Sequence, residues 1–343
     1  MMPSRLIVFL FAFATSAMAQ TITFTVSETA GLRRFGYPVT ATLESAEGMI
    51  ADAKKIRLLA ADGKEVPAQF TAMSMWPDGS VRGLDVDFSP SPGPREMLTY
   101  RVEIGKEPTQ PLRAGLSVTE TADEIVVASA AIRHRIRRDG RPLLTSIAFG
   151  ENEFIGADGI RTTLQPGAGE IVKRGPFNVT LKLGSVQLEY VNTKSWIKIT
   201  QQAESEREIA VDAHFNLTKL PLLWDFGAGS WLYGNMSKPG QTVMLQHRNA
   251  AWDILTGPDT VFATTPTFDG CGHLADAERV AAFGTARPAN DLETKLTADG
   301  RIHITAQRRE LTVYFHVVGQ PIPVTAVTSP QAMIYTLVTA ISE

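Results

Sequence analysis

Apolar and polar residues alternate with a period of two along most of this chain, in short runs that fit strands better than helices. Thr21–Val26, Lys55–Leu59, Val66–Met73, Val81–Phe88, Leu98–Ile104, Glu124–Ala128 and Ala131–Arg137 read as strands. Asn178–Val191, Trp196–Gln201, Glu208–Phe215, Thr242–Gln246, Ile302–Thr305 and Leu311–Val317 continue the pattern. Asp-Gly dipeptides beginning at Asp62, Asp78, Asp139, Asp158, Asp269 and Asp299 punctuate it. Glycine there supplies the positive φ that tight hairpin turns require. One short segment, Leu274–Phe283, has helical spacing. The pattern predicts an all-β protein. Gly105–Gly115 (GKEPTQPLRAG) has two prolines and no periodicity, and so predicts a boundary. A unit over 20–105 has the size of a small barrel, and one over 106–343 that of a large antiparallel β-sandwich.

The N-terminus departs from this pattern. Arg5 precedes the apolar run Leu6–Ala14, and Ala17-Met18-Ala19 places small residues where a signal peptidase reads them. This predicts a secretory signal over 1–19, cleaved before Gln20, with the mature chain exported to a periplasm or the exterior. The apolar run is far shorter than the roughly 20 residues a membrane helix needs, so no span is expected in the mature form.

The chain carries 33 Lys+Arg against 36 Asp+Glu, a net charge of −3, and no long basic run. Nucleic acid is therefore a poor partner, because phosphate binding needs concentrated positive charge. Cys271 is the single cysteine and cannot form an internal disulfide. Its setting, Asp269-Gly270-Cys271-Gly272-His273, offers too few ligands for zinc, and a buried inert thiol is expected. No metal or cofactor is predicted. G-x-S-x-G, H-E-x-x-H, Walker and dinucleotide-binding motifs are absent, which disfavours the common nucleophilic hydrolases and nucleotide enzymes.

Several strand faces retain candidate chemistry. On Ile132–Arg137 three arginines share one face, suited to an acidic sugar or to acidic neighbours, while His134 falls with the isoleucines as a core histidine. Leu311–Val317 turns Tyr314 and His316 outward, and Asp212 and His214 share a polar face as a salt bridge. The densest aromatic and polar stretch, Leu222–Arg248, is glycine-rich and poor in strand pattern. It reads as a loop platform for sugar rings, with Trp224, Trp231 and Tyr233 to stack and Asp225 and Asn235 to take hydroxyls.

Ile56-Arg57-Leu58-Leu59, the run Asp62 to Phe70 (DGKEVPAQF) and above all Trp76-Pro77-Asp78-Gly79-Ser80-Val81-Arg82 resemble the N-terminal RIFT barrel of the exo-rhamnogalacturonan lyase-like family. Glu124–Ile147 is similar to the opening of that family's central sandwich, and Gly175–Leu183 (GPFNVTLKL) to one of its strands. The resemblance covers residues 21 to about 250 and implies a RIFT-type barrel, a sandwich and a polysaccharide context. Gly83 follows Arg82 where the family usually has an aromatic. The family's α/α toroid has no counterpart in this sequence, so no lyase residue carries over. The Trp76–Arg82 string is expected to be a turn, with Arg82 bridging to Asp85 or Asp87.

The leading expectation is an exported carbohydrate-binding or accessory protein for acidic polysaccharide, with Arg248 as carboxylate partner. The alternative is a lyase acting by β-elimination, with Tyr233 or His247 as base and Arg248 neutralising a uronate. A third is a non-enzymatic envelope protein that binds other proteins.

Overall fold

The computed structural model describes residues 20–319 and 338–341, apart from 111, 113, 114, 130, 131, 165, 193, 195, 228–230 and 287. The expected signal segment lies outside the described residues. Among those residues every regular element is a strand, and no helix is long and apolar enough to cross a membrane.

The first unit is two small antiparallel sheets over one core. Thr21–Ser27 pairs with Met97–Ile104, which pairs with Ile56–Ala60 and through it with Glu65–Val66. The second sheet runs Val39–Glu44, Val81–Phe88, Gln69–Met75. Their inward residues, Phe24, Leu43, Ile56, Leu84, Phe88 and Val102, are fully buried, and Phe88 sets its ring edge-on to Tyr100 at 4.8 Å. The last described strand, Val338–Ile341, returns to this unit and pairs with Thr21–Ser27.

The Trp76–Arg82 string is a turn. Asp78 accepts hydrogen bonds from the Ser80 amide (2.9 Å) and hydroxyl (2.6 Å), and the Trp76 indole donates to the Ser45 carbonyl at 2.9 Å. Arg82 does not bridge to Asp85 or Asp87; its guanidinium lies 5.0 Å over the Trp76 ring. Side chains alternate across a strand, and both aspartates point to the second unit instead.

Strands from Ser117 to Gly319 form one continuous antiparallel sheet that folds over itself around a second core, giving the large β-sandwich. Its spine pairs Trp196–Phe215 with Arg301–Gly319, from Trp196↔His316 to His214↔Arg301, with one bulge between Gln202 and Arg207. Sequence alternation divides each of these into two strands because Glu204–Glu208 on the first and Gln307–Glu310 on the second leave the core. The backbone ladder breaks at that same bulge and resumes from Arg207↔Arg308.

Two expectations are corrected here. Leu274–Phe283 is no helix but part of a hairpin between Cys271–Ala275 and Arg279–Thr285. The Asp276 carboxylate accepts from the amides of Glu278 and Arg279, both at 2.8 Å, and this local turn outcompetes the helical spacing. Leu222–Arg248 is not a loop platform: it holds the strands Leu222–Gly227, Trp231–Met236 and Thr242–Arg248. All six Asp-Gly glycines do take positive φ, from 65° to 89°, although Gly159 does so inside a strand, at a bulge.

Candidate functional site

Directly paired residues of an antiparallel ladder share one face of the sheet. Register therefore lays out the outer face of the sandwich in rows. One runs Lys173, Thr180, Glu189, Lys198, Tyr314, Gly284, Cys271. The next runs Trp196, His316, Ala282, His273, Asp225, Tyr233. Such a face would ordinarily meet water. Here the first unit docks on the end bearing Lys173 and Trp196.

The docking contact is polar and buried. The Lys173 ammonium reaches Asp85 at 2.7 Å and Asp87 at 3.3 Å. Thr42 donates to Asp85 (2.7 Å), while Thr40 (2.5 Å) and the Asn178 amide (3.1 Å) donate to Asp87. Burial raises the Asp87 pKa above the usual carboxylate value despite the attraction of Lys173. Gln69 completes the contact: its Oε1 accepts from the amides of Phe177 and Asn178, both at 3.0 Å, and its Nε2 donates to the Asn178 carbonyl. A Cβ on Gly175 would stand 2.1 Å from Gln69 Oε1, so that glycine admits the glutamine. The Asp62–Phe70 and Gly175–Leu183 motifs that carried the family resemblance thus meet at the unit junction.

Beside this junction a cleft of about 350 Å³ opens between the units. Pro38 and Met73 stand on the side of the first unit, and Gln187, Glu189 and Lys198 on the side of the sandwich. Glu189 accepts from Lys198 at 3.3 Å. The cleft leads to a smaller hollow of about 50 Å³, where Tyr37, Trp196 and Tyr314 meet. The Tyr37 and Trp196 rings lie 5.9 Å apart. Burial pushes both tyrosine hydroxyls well above the ordinary phenol value, so they are neutral hydroxyls rather than bases. The Lys194 ammonium, 5.4 Å from the Trp196 ring, is pushed down by burial and by Arg34.

The residues singled out in Leu222–Arg248 do not form one site. Trp224 is 2% exposed and packs in the core, its ring edge-on to Phe262 at 5.3 Å. Asp225 is buried and accepts from the His273 amide (3.0 Å), with His273 Nδ1 at 2.8 Å, so it is spent inside the protein. Trp231 pairs with Gly227 through its backbone, and its side chain lies outside the described residues. Tyr233 is 75% exposed, and Asn235, also exposed, accepts from the Ser237 hydroxyl. His247 sets its ring edge-on to Trp252 at 5.3 Å, and Arg248 is exposed at the strand end. Among the described residues no hydrogen bond or ion pair joins Tyr233, His247 and Arg248.

Neighbours take up most side chains of the other candidate faces, while Arg133 stays exposed. Arg135 pairs with Glu124 and Arg137 with Asp139, while His134 is buried against the Tyr190 ring at 4.8 Å. Asp212 and His214 do not pair with each other. Asp212 contacts Arg301 (3.1 Å) and His303 (3.3 Å), and His214 faces Asp158 at 3.4 Å. Tyr314, expected to face outward, is covered by the docked first unit. Cys271 is fully buried, and burial with Asp269 and Asp225 nearby raises its thiol pKa far above the usual value.

Neither a protein-family model nor a curated protein matches the sequence. Among solved structures, the chain is similar to an uncharacterised protein, lmo2446, from Listeria monocytogenes EGD-e. Identity is 10% over 83% of this chain and 29% of that one, with a TM-score of 0.19. The same protein in complex with alpha-D-glucose, beta-D-glucose, magnesium and calcium matches with the same values. The chain spans about 29% of the length of those structures, and a likeness this slight assigns nothing to it.

Proposed function

We propose that this chain is an exported glycan-binding protein, a RIFT-type barrel and sandwich that takes a saccharide into the cleft between its two units. The observation that carries this reading is the cleft itself, flanked by two sheets fixed to each other by the buried Lys173–Asp85–Asp87 and Gln69 contacts. Ligand sites favour such junctions, and a preformed wall spares the ligand the cost of ordering it. Saccharides present an apolar C–H face and a rim of hydroxyls. Pro38 and Met73 suit the first, and Gln187, Glu189 and Lys198 the second. The lyase alternative has less support, since β-elimination needs a base and a cation converging on one sugar, and Tyr233, His247 and Arg248 make no mutual contact.

Trp196 lines the inner hollow and gives an optical probe of the site. Titration with a panel of neutral and acidic oligosaccharides is expected to change tryptophan emission, and Trp196→Phe to remove the change. The same mixtures are expected to gain no ultraviolet absorbance from unsaturated uronates. A silent panel would overturn the binding reading, and rising absorbance would establish a lyase in its place.

A further inference from the structure

We infer that the cleft selects a neutral, hydroxyl-rich sugar over a uronate. This rests on the glycan-binding reading above and adds the ligand class. The charges of the cleft are already matched within the protein. Lys173 is held by Asp85 and Asp87, and Lys198 by Glu189. The cleft lining carries two carboxylates, Asp85 and Glu189, each already paired with one of its two ammonium groups, Lys173 and Lys198, so a sugar carboxylate would enter beside like charge with no unpaired cation in that lining to meet it. Solvent screens such repulsion poorly in a partly buried site. Arginine, the residue best shaped for carboxylates, is not among the described side chains that line the cleft.

The same groups suit hydroxyls. Lys198 spends one N–H on Glu189 Oε2, which leaves further N–H groups and leaves Oε1 to accept. A hydroxyl both donates and accepts, so adjacent hydroxyls of one ring can bridge Glu189 and Lys198 together. Gln187 lies two residues from Glu189 on the same strand face and offers a donor and an acceptor more. Across the cleft Met73, 42% exposed, and Pro38 present apolar surface to the ring.

The test compares neutral oligosaccharides with oligogalacturonates of matched length, on the wild-type protein and on Glu189→Gln, Lys198→Met and Gln187→Ala. Melting temperatures check the fold of each variant, and Gln187, exposed on the strand, gives a substitution that does not disturb the core. Neutral sugars are expected to bind best, and the charged-residue variants to lose about tenfold in affinity, the scale of one charge-assisted hydrogen bond. Preference for the uronates would overturn this inference and leave the glycan-binding reading standing. Neutral binding unchanged in all three variants would also overturn it, by moving the site out of the cleft. Binding of neither class would overturn both.

Discussion

His134 shows how one buried residue writes a pH dependence into the whole fold. Its ring lies under Tyr190 in the sandwich core, and burial pushes its pKa down to about 4 from an ordinary 6.5. Between those values the unfolded chain holds a proton that the folded chain refuses. Stability contributed by the neutral ring is therefore full above 6.5 and is lost as pH falls toward 4. The shift corresponds to about 3 kcal/mol at its limit. Burial lowers the pKa of His316 in the same direction. We expect His134→Phe to flatten the decline in melting temperature between about pH 7 and pH 5, measured against the wild type. A variant as acid-sensitive as its parent would show that the acid response lies elsewhere. The alternation of Ile132–Arg137 already placed this histidine inward in the sequence, since side-chain direction in a strand follows from position alone.

Elements were legible where alternation was unbroken, as in Glu124–Ala128 and Ile132–Arg137. They were not where a turn or a glycine hid the pattern. In Leu222–Arg248 the glycines suggested a loop, yet Gly234 sits in a strand directly opposite Trp224. A Cβ there would stand 2.4 Å from the indole, so the glycine vacates space for a ring and does not mark a turn. Gly234→Ala is expected to cost about 1–3 kcal/mol by overpacking, read as a fall in melting temperature. An unchanged melting temperature would mean that the indole can shift at no cost. Leu274–Phe283 shows the opposite failure, where a helical spacing conceals the side-chain-capped turn at Asp276.

At the scale of the molecule, the all-β, two-layer character could be read in advance, while the cleft could not. Its walls come from Pro38, Met73, Gln187, Glu189 and Lys198, which are dispersed along the chain and form no motif. Asp85 and Asp87 looked like partners for Arg82 because sequence shows neighbours along the strand, whereas Lys173 reaches them from another unit. The family-like motifs at Asp62–Phe70 and Gly175–Leu183 were visible, but only the fold reveals that they meet through Gln69. The aromatic stretch drew attention because tryptophans suit sugars, yet Trp224 is spent on the core.

The most direct test of the central claim is a crystal structure with a neutral oligosaccharide bound. Ligand density is predicted in the cleft, with hydroxyls on Glu189 and Lys198 and the ring face toward Met73. Density over Tyr233 and Asn235 on the outer strands, with the cleft empty, would contradict it.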